Sequence, residues 1–156
     1  MKLADLIVPE AIIPQLRSAQ RDEVIAELID AVISGDAVDR SLRDDLIAMI
    51  IDREDRGSTG FGKGVAVPHV KHAAITSMVA AIGVSPQGID FNALDNAPVY
   101  SVVLLLSPQD KPDEHLQAME NIFSHLQKDR FRRFLRQATS VQEIQELIHE
   151  ADSQQL

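Results

Sequence analysis

His69 stands at the end of an apolar run and a proline, in VAVPHVKH. A histidine so placed can present one ring nitrogen while a backbone carbonyl fixes the other. A neutral imidazole nitrogen is a good nucleophile toward phosphorus, and imidazole as a class is largely unprotonated at neutral pH. The phosphoramidate formed keeps a high transfer potential, which suits relay rather than storage. The plain alternative is a surface loop histidine. His115 follows Pro112 in the first turn of a helix, with Met119 and Phe123 at i+4 and i+8, which puts it at the margin of a buried face. A helix N-terminus favours anions and disfavours imidazolium, so a neutral His115 could donate to a phosphoryl oxygen. It could equally cap the core edge. Arg53 could bring positive charge to the same phosphate, or pair in solvent with Glu54. His72 raises a metal reading, for which two histidines without a third ligand or any cysteine are weak support. His125 and His149 read as helix-surface residues.

The stretch before His69, GSTGFGKG at 57–64, contains the frame G-x-x-x-x-G-K of a nucleotide-binding loop. That loop needs a strand before it, a helix after it, and Ser or Thr behind the lysine for magnesium. LIAMIIDRED is helical in pattern, Gly64 occupies the Ser/Thr position, and Val65, Val67 and Pro68 do not begin a helix. All three contexts fail. Four glycines in eight residues exceed what a plain turn requires. Glycines let backbone approach another group closely, and what these surround is His69.

The elements that must position these residues follow from periodicity. Val24, Ile25, Leu28, Ile29, Val32 and Ile33 mark a helix over 20–34, with Ser18 in place to cap it and Gly35 to stop it. Leu42, Leu46, Ile47, Met49 and Ile50 mark a second over 39–54. Then the period changes: Val65-Ala66-Val67, Ser77–Ser85 and Val99–Ser107 read as strands, the last buried and central. Pro112 suits the first turn of a helix with Leu116, Met119, Ile122, Phe123 and Leu126 inward. A further helix near Asp129–Gln137 would bury Phe131, Phe134 and Leu135. The last opens with Ser140 and Glu143 at capping-box spacing and carries Val141, Ile144, Leu147 and Ile148. The expected fold is a single α/β layered domain, residues 1–156, with a mixed sheet flanked by helices.

Composition narrows the function classes. The 156 residues are 45% hydrophobic and 4% aromatic, without tryptophan, so a base-stacking surface is not expected. A net charge of -9 argues against general affinity for nucleic acid or anionic membrane. No apolar run approaches the roughly 18 residues of a membrane span, and the N-terminus has no signal-peptide layout. The absence of cysteine fits a reducing cytosol and removes thiolate chemistry. No cofactor is called for.

REDRGSTGFGKGVAVPH resembles the active-site signature of the fructose/mannitol-type IIA component of the bacterial phosphoenolpyruvate-dependent phosphotransferase system, a family that includes nitrogen-regulatory members. GIDFNALDNAPVYSVVLLLSP followed by EHLQAMENI is similar to a second stretch of the family, and the likeness runs in order through nearly the whole chain. The resemblance implies one α/β domain with a mixed sheet. It implies that His69 accepts a phosphoryl group from phospho-HPr and passes it to a IIB component. It makes His115 the second active-site histidine, Arg53 the arginine of the Arg-Glu pair, and Ser58 and Thr59 the hydroxyls of a loop whose glycines include Gly60 and Gly62. Side chains at 57, 60, 62 and 64 would obstruct a donor protein's approach or the required turn, and Phe61 and Val70 are expected to belong to an apolar contact patch for that donor. Two departures stand out. Val70 replaces the family's usual small residue after Pro-His, with Lys71 and His72 making a bulkier, more basic rim. Asn96 stands where glycine is usual, which a turn tolerates because asparagine accepts positive φ. A competing expectation is a regulatory binding module switched by phosphorylation of His69. The absence of fused IIB or IIC segments leans toward a stand-alone regulator.

Overall fold

The computed structural model describes residues 1–154. Its sheet has five strands: β1 (Ile7–Ile13), β2 (Val65–Ala66), β3 (His69–His72), β4 (Val79–Ile89) and β5 (Val99–Pro108). β5 is central. It pairs antiparallel with β4 on one side, and parallel with β2 and then β3 on the other, while β1 lies parallel to β4 at the far edge. The sheet is mixed, as the sequence predicts.

Strand alternation then sorts the core into two layers. Val102, Leu104 and Leu106 of β5 face the helices α2 (Arg21–Ser34) and α3 (Arg43–Arg56). Val103 and Leu105 face the opposite layer of α4 (Pro112–Leu126), α5 (Asp129–Gln137) and α6 (Val141–Asp152). A short α1 (Leu3–Leu6) joins this second layer, its Leu3 and Ala4 amides held by the Asp152 carboxylate at 2.8 and 2.9 Å. Ser107 has the parity of Val103 and Leu105 and is fully buried, so its hydroxyl lies under α4.

Several sequence expectations need correction. Gln20, without a side-chain cap, precedes α2; the Ser18 amide instead donates to Glu27. β3 is absent from the predicted elements because Pro68 makes HVKH read as a loop, and β1 because Pro9 and Glu10 interrupt its pattern. As an edge strand it accommodates both, with a register irregularity between Ile7 and Ile12. Leu116 and Phe134 point outward, at 59% and 37% exposure. His125, expected on the surface, is buried, because the inward stripe of α4 runs through Ala118, Ile122, His125 and Leu126. His149 is exposed as expected. Pro112 does open α4, and Ser140 caps α6 by accepting the Glu143 amide at 3.1 Å. The Glu143 carboxylate turns back to Thr139 rather than to the cap residue.

Candidate active site at the His69 strand

Val65 and Val67 belong to the α4 layer while Ala66 and Val70 belong to the α3 layer, so the alternation delivers His69 to the α4 side. Pairing is kept across Pro68, whose carbonyl accepts the Leu105 amide at 3.0 Å. His69 Nδ1 lies 2.7 Å from the Val67 carbonyl. A carbonyl only accepts, so Nδ1 carries the proton and Nε2 of the neutral ring carries the lone pair. The tautomer of His69 is thus set by the carbonyl two residues before it.

His115 comes from the first turn of α4, where β5 has just ended, and its ring centroid is 5.5 Å from that of His69 at 44°. His115 Nδ1 is 2.7 Å from Ser107 Oγ. With the serine hydroxyl donating, Nδ1 accepts and Nε2–H is left as a donor. Burial pushes His115 below the ordinary imidazole range, and the Lys71 charge, with that of His69 whenever its ring is protonated, pushes it the same way. The pair therefore combines a nucleophilic nitrogen with a neighbouring neutral donor.

His125 is also depressed, chiefly by burial, against an opposing pull from Asp152. For both histidines the folded pKa lies below the ordinary imidazole value of about 6.5. On acidification the unfolded chain takes up these protons first. Their share of stability is full above pH 6.5 and is lost as pH falls through the folded values. The urea midpoint is therefore expected to fall between pH 7 and pH 5, and His125→Leu should show a smaller fall over that interval. An equal fall in the variant would contradict this assignment.

The glycine stretch is rooted in α3. Glu54 continues the buried stripe of Leu46 and Ile50 and is only 3% exposed. Its Oε1 accepts the Thr59 amide at 3.1 Å. Arg53 points outward and donates from Nη1 to the Gly57 carbonyl at 2.8 Å, so the Arg53–Glu54 ion pair does not form. Two adjacent residues thus grip the two ends of the segment 57–59. Ser58 Oγ accepts the Gly60 amide at 3.0 Å. Sequence reading offers Glu54 only as a solvent partner for Arg53, although i, i+4, i+8 spacing from Leu46 turns it inward. Glu54→Ala leaves the buried Thr59 amide without its acceptor and is expected to lower stability by about 1–3 kcal/mol. Glu54→Gln keeps an acceptor and should lose less. Urea denaturation of the two variants checks the order; equal stability of both with the parent would contradict it.

The glycines have internal reasons. A Cβ on Gly60 would stand 2.9 Å from the Ala93 Cβ, and Gly62 and Gly64 have φ of 112° and 75°. Packing at Gly60 and turn geometry at Gly62 and Gly64 call for glycine there. Asn96 adopts φ 58°, the conformation expected of it.

Phe61 and Val70 do not share a patch. Phe61 stacks at 5.0 Å on Phe123 of α4, eight residues beyond His115, and docks the glycine loop on the histidine-bearing helix. Val70 packs in the α3 layer on the other face. The rim beyond His69 is also less basic than the sequence suggests. His72 Nε2 is 2.6 Å from the Asp45 carboxylate of α3, while its Nδ1 accepts the Ala74 amide. Lys71 alone stays exposed.

The family model for the phosphoenolpyruvate-dependent sugar phosphotransferase system, EIIA 2, matches residues 5–151. The chain is 31% identical over 144 residues to a nitrogen regulatory protein of Bradyrhizobium diazoefficiens, covering 92% of each. It is 30% identical over 132 residues to a fructose-specific EIIA component of Haloferax volcanii, covering 85% of this chain and 84% of that one. A fructose-specific EIIABC component of Bacillus subtilis is 29% identical over 97% of this chain, which spans only 24% of that protein's length. In fold, the chain matches the crystal structure of IIA-Ntr from Neisseria meningitidis with a TM-score of 0.83 at 23% identity, over 94% of this chain and 98% of that one.

Proposed function

Because the chain belongs to the EIIA 2 family of the phosphoenolpyruvate-dependent sugar phosphotransferase system, we propose that it is a phosphohistidine carrier charged on His69 Nε2 by phospho-HPr or an HPr-like donor. The observation that carries this reading is the Nδ1–H to Val67 carbonyl bond, which leaves Nε2 with the lone pair. In the step, Nε2 attacks the donor phosphorus, the donor's N–P bond breaks, and its ring nitrogen keeps the electron pair. The His69 ring gains cationic character, which the Val67 carbonyl stabilises through Nδ1–H. His115 Nε2–H donates to a phosphoryl oxygen as charge develops there. Arg53, an exposed cation at the start of the glycine loop, adds positive charge for the donor's phosphate. Ser58, Thr59, Gly60 and Gly62 hold the loop in shape beside the site. Phe61 and the exposed Lys71 offer contacts to the donor. The protein needs no cofactor for this exchange.

Onward transfer goes to a IIB component, whose nucleophile attacks the same phosphorus and returns neutral His69. A regulatory reading stands beside it, favoured by the 92% mutual coverage with a nitrogen regulatory protein. In that case phosphorylation alters charge at the His69–His115 face and switches binding of a regulated protein. Mixing the phosphorylated chain with IIB proteins separates the two. Loss of the phosphoryl group to a IIB cysteine within seconds is the expected carrier result. A phosphoryl group retained in the presence of every cognate IIB would overturn onward transfer and favour the switch.

A further inference from the structure

A second polar site lies away from the histidines. Lys63, Tyr100, Asp129, Arg132, Arg133 and Arg136 line a cavity of about 680 Å³ between the glycine loop, the start of β5 and α5. That volume is in the range of small-molecule pockets. Along β5, its Ser101 is four residues before Leu105, the register partner of His69, which is roughly 13 Å of strand. In a chain of net charge -9, four cations face this cavity with one acid.

Two of the cations, Arg132 and Arg136, are held in place. The Arg136 guanidinium lies 3.4 Å above the Tyr100 ring, so its N–H edge is oriented without an ion pair among the described residues. Arg132 donates to the Leu126 carbonyl at 2.9 Å. Asp129 is shared between Arg132 at 3.5 Å and Arg133 at 3.6 Å, which leaves both only weakly neutralised. Lys63 sits at φ 61°, a conformation that glycine adopts more easily, between two positive-φ glycines. It is the lysine of the G-x-x-x-x-G-K frame, placed at this cavity with no helix following the loop.

We infer that this cavity binds a small molecule carrying two linked phosphates. A single phosphate carries about 1.5–2 negative charges, and two linked phosphates match the excess of cations. The planar fork of Arg136 suits a bidentate phosphate contact, while Arg132, whose two Nη atoms already meet the Leu126 carbonyl and Asp129, contributes charge. The Gly64 carbonyl accepts the Tyr100 and Ser101 amides, so ligand contact at Lys63 reaches the loop beside the His69 strand. The assignment is independent of the phosphocarrier reading.

Titration calorimetry of the full chain with pyrophosphate, ADP and orthophosphate tests it. Pyrophosphate, ADP or both are expected to bind with one-to-one saturation at least tenfold tighter than orthophosphate. ADP binding tighter than pyrophosphate would assign the organic part to the same cavity. Lys63→Gly removes a cation and eases the backbone, so it endangers the fold least; with Arg136→Ala it should weaken binding at least tenfold. Absence of saturable binding, orthophosphate binding as tightly as pyrophosphate, or both variants binding like the parent would overturn the inference.

Discussion

Replacing His69 with alanine is expected to reduce phosphoryl uptake from phospho-HPr by at least about 10³-fold, because the nucleophile itself is removed. The same change should leave stability within about 1 kcal/mol of the parent. The ring is half-buried and its hydrogen bond is to a backbone carbonyl only two residues away. Timed quenching and intact mass, with a urea titration alongside, measure both quantities. Loss of labelling with unchanged stability assigns the chemistry to the side chain. Labelling at the parent rate would place the nucleophile elsewhere, with His115 and His72 the first positions to map.

The second large effect is expected at His115. His115→Ala should slow labelling by about 10²–10³-fold, the usual cost of losing one donor aimed at developing charge, while His69 still becomes phosphorylated. The residual reaction matters, since it separates a stabilising donor from the acceptor. His115→Asn, which retains an N–H group, should recover part of the rate. Ser107→Ala should be milder than His115→Ala, because it only frees the tautomer that the 2.7 Å contact holds. Unaltered rates in His115→Ala would make the ring a packing residue at the edge of α4.

Much of this architecture is written in the residue pattern. β5 announces itself as VYSVVLLLS, a run buried on both faces, and its central place follows from that burial. The pattern alone leaves His69 as a loop histidine after a strand and a proline, and the resemblance singles it out; in the fold it opens β3. Pro112 places His115 in the first turn of its helix, the resemblance pairs it with His69, and only the structure names Val67 as the carbonyl that fixes the tautomer. Other features escaped because periodicity weighs large apolar residues. On α4 the inward stripe includes Ala118, a small residue, and His125, a polar one, so Leu116 appears to point inward when it does not. On α3 the same stripe ends in a buried carboxylate, Glu54, which a hydrophobic pattern omits. The arginine cavity joins residue 63 to residues 129–136, and only the folded chain brings those segments together.

The most direct measurement is nuclear magnetic resonance of the imidazole nitrogens in the phosphorylated protein, made with phosphoenolpyruvate, enzyme I and HPr. Phosphorus coupling to Nε2 of His69, with the Nδ1 proton retained on its bond to Val67, is the predicted result. Coupling to Nδ1 of His69, coupling to His115, or no phosphohistidine while a control IIA protein labels normally would contradict it.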